Sequence, residues 1–274
     1  MTPQPEYKGR VLIIAGSDSG GGAGIQADIK SVTVLGGYAM TAVTAITVQN
    51  TLGVHDVHPI PLQIISGQIA CVLQDLGADT IKTGMLGSVE TVETVAEALD
   101  NHARSIPKII DPVMVAKGGH PLLEAKAIGA LKTLMIPHAA LLTPNAPEAA
   151  HLTDISVDGI NGQRRAAERL LRMGARAVLV KGGHILGRTF IDLLATHDGE
   201  VRFEATRIDT RSTHGTGCTL ASAIAALLAQ GITLEAAIER ARAYVFEAIA
   251  TAPDLGTGHG PLNHAWPVQI NKDR

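Results

Sequence analysis

The sequence predicts a single α/β domain, a three-layer sandwich with a mostly parallel central sheet and helices on both faces. Three observations predict it. Short β-branched runs alternate with segments whose apolar residues recur at helical spacing, the pattern of strands joined by crossover helices. Hydrophobic residues make up 46% of the 274 and charged residues 18%, which is ample for a large core. No Pro- or Ser-rich linker, composition shift or internal repeat divides the chain.

The elements follow in order. Val11-Leu-Ile-Ile-Ala15 is a buried strand, a loop covers 16–24, and Ile25, Ile29, Val32 and Leu35 mark a helix. A second β-rich run spans 41–48. Leu62, Ile65, Ile69, Val72 and Leu76 lie on one helical face, with Cys71 among them as inert core, and Thr80-Ile-Lys82 is the next strand. The helix of Val89, Val92, Val95 and Leu99 precedes the strand Lys108-Ile-Ile-Asp111. A helix over 122–134 leads to the strand Ala140-Leu-Leu-Thr143, and one over 163–173 leads to Ala177-Val-Leu-Val-Lys181. Runs 190–195 and 200–206 flank His197-Asp-Gly199 as a hairpin. Small-residue helices over 219–230 and 234–250 close the fold. The domain is expected over 11–266, with an N-terminal extension at 1–10 and a C-terminal tail at 267–274.

Composition excludes several classes of function. Aromatics are 3% of the chain, too few for a nucleic-acid stacking surface. A net charge of -3 with eleven His argues against a phosphate-backbone binder. Two Cys cannot form a disulfide framework and suit a reducing cytoplasm. The apolar run at 11–15 is too short for a signal peptide, and no stretch approaches the ~20 apolar residues of a membrane span. A cytoplasmic protein with neither a nucleic-acid nor a membrane partner is expected.

In a parallel α/β sheet, ligands bind beyond the carboxyl ends of the strands. Asp18, Gln49, Lys82, Asp111, Asn145, Lys181 and the loop after Ile208 all fall there. The loop Gly16-Ser-Asp-Ser-Gly-Gly-Gly-Ala-Gly24 opens a helix and lets a ligand approach backbone N–H groups. It fails the P-loop pattern, because Ile29 stands before Lys30-Ser31 where glycine is required. It matches the dinucleotide fingerprint formally, yet Gln49 and Asn50 replace the ribose-binding acid. A tight turn without a ligand is the plain alternative.

The segment Thr210-Arg-Ser-Thr-His-Gly-Thr-Gly-Cys218 is the most pointed. Gly215 and Gly217 free the backbone so that consecutive amides converge on one centre, an anion nest at a helix N-terminus. Cys218 falls in the first helical turn, where the thiol pKa is expected below its reference of ~8.5, suiting a proton acceptor. Its plain alternative is a small packing residue. Glu148 in Asn145-Ala-Pro-Glu148 either complements a helix dipole or holds a water of Mg²⁺, and Asp111 is a second candidate for the metal region. Lys181 suits a polyphosphate neighbour. The remaining His residues lack metal-ligand spacing.

Seven motifs stand in order over nearly the whole chain: 15–28, Val48-Gln-Asn-Thr51, Lys82-Thr-Gly-Met85, Asp111-Pro-Val-Met114, Thr143-Pro-Asn-Ala-Pro-Glu148, Val180-Lys-Gly-Gly-His184 and Thr213-His-Gly-Thr-Gly-Cys218. Together they resemble the hydroxymethylpyrimidine/phosphomethylpyrimidine kinases of thiamine biosynthesis, in the ribokinase-like superfamily. The resemblance implies two ATP- and Mg²⁺-dependent phosphorylations, of 4-amino-5-hydroxymethyl-2-methylpyrimidine and then of its monophosphate. It implies catalysis by Cys218 with the amides of Gly215, Thr216 and Gly217. It assigns the pyrimidine to Gln49, Gly16, Asp28, Met85 and Val113, and ATP to Asn145, Lys181, Thr213 and His214. Glu148 and Asp111 would serve the metal, and a homodimer is implied. Gln49 has the chemistry for the task, since an amide both donates to a ring nitrogen and accepts from an amino group.

The sequence departs from the family in one place: Ser19-Gly20 stands where Pro-Ser is common, loosening the loop and adding a donor. Pyridoxal kinase is the alternative with the same chemistry. A non-catalytic ligand-binding regulator is the alternative from another class. Lys117 and His214 are candidates to receive the monophosphate's charge, and 115–120 is the candidate for a closing loop.

Overall fold

The computed structural model describes residues 9–116 and 118–270. Nine strands form one sheet in the order β3-β2-β1-β4-β5-β6-β7-β8-β9. β1 (Arg10–Asp18), β2 (Tyr38–Asn50), β4 (Thr80–Thr83), β5 (Lys108–Ile110), β6 (Leu141–Leu142) and β7 (Ala177–Val180) are parallel to their neighbours among these six. Antiparallel strands finish both edges: β3 (Gly53–Pro59) on β2, and the hairpin of β8 (Thr189–Thr196) and β9 (Glu200–Thr206) on β7. The chain leaves β1 toward β2 and returns to place β4 on β1's other side. That strand-order reversal opens a crevice at the strands' carboxyl ends.

The alternation along β1 sets the two cores. Leu12 and Ile14 join one cluster with Ile65, Val92, Leu152 and Leu170, under α2 (Leu62–Asp75), α3 (Val89–His102), α5 (Ala146–Thr153) and α6 (Ile160–Arg172). Val11, Ile13 and Ala15 join the other, with α1 (Gly24–Val34), α7 (Thr216–Ala229) and α8 (Leu234–Ala250). Every residue of α7 from Thr219 to Leu227 is buried, so this central helix is apolar all round and built of small side chains. Helix α3 starts on a Ser88 cap whose Oγ accepts from Thr91 N–H at 3.2 Å, with Glu90 in its first turn.

Five features differ from the sequence expectation. First, β1 does not end at residue 15; it passes through an irregularity between Ala15 and Ser17 and continues to Asp18. The second is the helix expected over 122–134. Leu122 and Leu123 N–H groups bond Met114 O and Glu124 N–H bonds Gly87 O, so α4 begins only at Ala127 (Ala127–Ala130) and continues as a π turn and a 3-10 turn to His138. Pro137, which lacks an N–H, accompanies that distortion. Third, β3 escapes the sequence reading because its residues alternate weakly and face solvent on an edge. Fourth, Cys71 is exposed rather than core: the inward face of α2 is set by Ile65 and Ile69, and Cys71 lies two residues beyond. A short α9 (Trp266–Ile270) lies where a tail was expected.

Candidate active site

The crevice is floored by residues at the ends of β1, β4, β5, β6 and β7. Asp18 closes β1, almost fully buried, and its carboxylate organises the glycine loop. Oδ1 accepts from Gly20 N–H (2.8 Å); Oδ2 accepts from Gly22 N–H (3.0 Å) and Ala23 N–H (2.8 Å). His214 Nε2 meets Oδ2 at 2.8 Å. Burial pushes the Asp18 carboxyl up, but the His214 hydrogen bond, the loop amides and the attraction to His214 hold it below the usual carboxylate range.

This pair welds the glycine loop to the segment before α7. Gly215 caps α7 in the left-handed region (φ 83°), and a Cβ there would collide with the Gly22 carbonyl, so only glycine lets the two loops meet. The first intrahelical bond is Thr219 N–H to Gly215 O at 2.9 Å. The amides of Thr216, Gly217 and Cys218 therefore precede the ladder, at the place where the nest is expected. Thr213 O accepts from Thr216 Oγ1 at 3.2 Å, steadying the turn.

The expected acidity of Cys218 is corrected. Burial pushes its thiol up to about 11, outweighing the favourable charge of Lys82 and the Gly24 N–H, while Asp28 and Asp111 add to the rise. A helix N-terminus acidifies a thiol, but here the half-buried position of Cys218 beside Asp28 and Asp111 outweighs that effect.

Behind the nest lies a charge cluster. Lys181 Nζ bonds Asp111 Oδ1 at 2.9 Å, and Thr143 Oγ1 donates to the same oxygen at 3.1 Å. A Cβ on Gly217 would stand 3.3 Å from Lys181 Nζ and 3.7 Å from Asp111 Oδ2, so the nest, the cation and the carboxylate share one wall. Asn145 caps α5 and forms a capping box with Glu148: Glu148 N–H donates to Asn145 Oδ1 (2.9 Å), and Asn145 N–H donates to Glu148 Oε2 (2.8 Å). Burial, with Asp111 nearby, pushes the Glu148 carboxyl up to about 7 against the pull of Lys181. Burial lowers Lys181, but Asp111 and Glu148 raise it further, so it stays charged. Asp111 is paired with the ammonium, Glu148 lies near it with its carboxyl pushed up to about 7, and both present hard oxygens. That donor set fits Mg²⁺, which takes few carboxylates and keeps several waters. Among the described residues no cluster of three or more His, Cys, Asp or Glu has metal-site geometry.

On the other side of the nest stand the residues expected to meet the pyrimidine. Gln49, half-buried, approaches His214 with its side-chain amide, Nε2 to Nε2 at 3.4 Å. Met85 lies over Gly16, where an added Cβ would come 3.0 Å from its sulfur, and Val113, half-buried, stands two residues after Asp111, whose carbonyl accepts from its N–H. Asp28 sits beneath this wall. It has no exposed surface, and its oxygens are taken by Lys82 Nζ (2.9 and 2.8 Å) and Ser222 Oγ (2.7 Å). His214, assigned to ATP, turns its ring to Asp18 and Gln49 instead. Lys117 lies outside the described residues.

Sequence reasoning missed three supports. Ser19 Oγ accepts from Gln49 N–H and donates to Gln49 O, both at 2.8 Å, clamping its backbone. Thr47 Oγ1 reaches Ser17 O at 2.8 Å and Gln49 Oε1 at 3.0 Å. Ser222, one turn below Cys218 on α7, bonds Asp28. The only sequence signals were a donor at 19 and the i, i+4 spacing of Cys218 and Ser222.

Residues 18–263 match the phosphomethylpyrimidine kinase family. The chain is 48% identical over 270 residues to the thiamine biosynthesis bifunctional protein ThiED of Geobacter sulfurreducens, covering 98% of this chain and 55% of that longer protein. It is 46% identical over 258 residues to the hydroxymethylpyrimidine/phosphomethylpyrimidine kinase of Bacillus subtilis, covering 93% and 94% of the two chains. Among solved structures, the pyridoxal kinase of Staphylococcus aureus in complex with pyridoxal superposes with a TM-score of 0.88 at 33% identity, over 97% of this chain and 96% of that one.

Proposed function

The chain belongs to the phosphomethylpyrimidine kinase family, and on that premise we propose how its residues carry the reaction. The protein is a ribokinase-like kinase that phosphorylates the hydroxymethylpyrimidine alcohol and then its monophosphate in thiamine biosynthesis, with ATP as co-substrate. The observation that supports these roles is the convergence of the nest, Cys218, the Lys181–Asp111–Glu148 cluster and Gln49 on one crevice.

The hydroxymethyl oxygen attacks the terminal phosphorus of ATP; the new O–P bond forms as the bond to the ADP oxygen breaks. Such a transition state needs positioning and charge neutralisation more than covalent help. The amides of Gly215, Thr216, Gly217 and Cys218 face the transferring phosphoryl group, and the hydroxyl proton passes to the Cys218 sulfur. Lys181, with Asn145 and Thr213 nearby, neutralises the nucleotide phosphates. Asp111 and Glu148 hold Mg²⁺, which when bound screens phosphate charge. In this reading Mg²⁺ raises the melting temperature of the wild type, and the rise shrinks in Glu148→Gln. An equal rise in both removes Glu148 from the metal site.

Gln49 reads the pyrimidine edge, with Met85 and Val113 on the ring faces and Gly16 and Asp28 behind. Gln49→Leu is expected to weaken pyrimidine binding by about 1–3 kcal/mol, because polar edges are left unpaired, with ATP binding unchanged. Calorimetric titration of each ligand checks this; undiminished pyrimidine affinity removes Gln49 from recognition. A homodimer in the cytoplasm completes the proposal. Exposed Ile46, Val48 and Leu52 near the β2–β3 edge support the first, and two free cysteines the second.

The decisive assay is ATP consumption with Mg²⁺ against the aminopyrimidine alcohol, its monophosphate and pyridoxal at matched concentrations. Turnover of both pyrimidines with pyridoxal far behind supports the reading. Preference for pyridoxal transfers the chain to its structural neighbour's substrate and leaves the nest intact.

A further inference from the structure

The sheet parts at Lys181. β7 and β8 pair antiparallel from Ala177–Thr196 to Val180–Leu193, and there their ladder stops. Lys181 turns to the other neighbour, bridging Asn145, and its N–H donates to Pro144 O at 2.8 Å. Side chains from other elements take the main-chain groups left where β7 and β8 separate. Gln163, the buried polar residue of α6, uses both protons of its NH₂, one on Val180 O at 3.0 Å and one on Ile191 O at 2.7 Å. Asp192 Oδ1 accepts from Gly182 N–H at 2.8 Å, and its Oδ2 accepts from Arg242 Nε, on α8, at 2.8 Å. Arg242 is held in turn: it donates to Phe203 O at 2.9 Å, and its guanidinium lies 5.5 Å from the centre of the Phe203 ring.

We infer that Gln163 and the Asp192–Arg242 pair form a clamp that positions Lys181 against the nucleotide phosphates, an inference that rests on the role proposed above for Lys181. The clamp acts through the backbone. Three successive groups around Lys181 are fixed: the carbonyl before it by Gln163, its own N–H by Pro144, and the next N–H by Asp192. Lysine is a point charge on a flexible four-carbon stem, so its ammonium is placed well only if both ends are held. Asp111 holds the far end, and the clamp holds the near one. Gly217, in the nest, stands against that ammonium, so a shift at the end of β7 passes directly to the phosphoryl site. Gln163 and Asp192 are 1% and 5% exposed, which leaves no water to replace a lost bond. Position 192 needs a carboxylate, because it must accept from both Gly182 and Arg242, and an asparagine has a single accepting atom.

The test is a double-mutant cycle read by steady-state kinetics with ATP and the pyrimidine alcohol. Asp192→Asn is expected to lower kcat/KM for ATP by roughly tenfold to a hundredfold, with the pyrimidine KM close to wild type. Lys181→Ala is expected to lower it by more. With Lys181→Ala already in place, Asp192→Asn is expected to cost no more than about twofold, because the side chain it positions is gone. A merely structural role for Asp192 would multiply the two losses, or would raise both KM values alike; either result overturns the inference. Gln163→Leu, which removes the other arm, is expected to repeat the pattern and carries the same comparison if Asp192→Asn does not fold. A loss in Lys181→Ala with wild-type kinetics in Asp192→Asn and Gln163→Leu brings down the clamp alone. Wild-type kinetics in Lys181→Ala bring down the proposed role of Lys181 and the clamp with it.

Discussion

Cys218→Ala is expected to lower kcat by about 10²–10⁴-fold while leaving the pyrimidine and ATP KM values close to wild type. The reason lies in where the proposed proton transfer occurs. Sulfur takes the hydroxyl proton as the O–P bond forms, so its removal costs transition-state stabilisation, while Gln49 and Lys181 still hold the two substrates. The nest remains in the variant, because its amides belong to the backbone of Gly215–Cys218, and residual catalysis above water is expected from it. The raised thiol pKa adds a second signature. With the thiol at about 11, well above its ordinary value, little thiolate exists at neutral pH. Activity carried by the thiolate then climbs about tenfold per pH unit through the neutral and mildly alkaline range and levels only near the thiol pKa. The alanine variant has no such limb. Steady-state kinetics from pH 6 to about 9 read both; wild-type kcat unchanged by the substitution would remove Cys218 from the mechanism.

Lys82→Met is expected to destabilise the fold by about 3–5 kcal/mol, because it strands the Asp28 carboxylate in a fully buried place with only Ser222 for company. For a chain of this size that corresponds to a fall in melting temperature of roughly 10 °C. Burial opposes the charge on Lys82, but the charge of Asp28, that of Asp111 and the hydrogen bond to Asp28 outweigh it and hold the ammonium charged. Removing both charges in Lys82→Met with Asp28→Leu is expected to recover much of the loss, since a buried pair contributes little more than a well-packed apolar pair of like volume. The two are thus strongly non-additive. Thermal denaturation of both variants measures it, and a single variant within 1 kcal/mol of wild type would contradict the pairing. The double variant also bears on catalysis: if it folds but kcat falls, the buried pair supports the Cys218 wall as well as the core.

The fold was legible because its signals are local. Val11 to Ala15, with the buried runs at 109–110 and 177–180, are apolar on both faces and rich in β-branched residues, as parallel strands must be. Helices such as α3 carry their cap in the sequence, Ser88 before Glu90. Where tertiary contacts overrode local pattern, the reading failed. Leu122 and Leu123 have helical company in sequence, yet their N–H groups are claimed by Met114, and the helix waits for Ala127.

The candidate site divides the same way. Strand ends and glycine loops can be read from spacing, so Gln49, Asp111, Lys181 and the 215–218 nest were named from the sequence, with their chemistry drawn from residue type and family resemblance. What the sequence determined by itself is the α/β fold, the end of the sheet at which the polar residues gather, and the resemblance to kinases of a pyrimidine alcohol. Only the tertiary structure decided that Asp18 bonds His214 across 196 positions, that Asp28 is occupied by Lys82 and Ser222, and that the Cys218 thiol is held protonated. The reason is physical. Hydrogen-bond partners, charge pairing and desolvation depend on which side chains the folded chain brings within a few ångströms, and spacing along the chain carries no record of that distance.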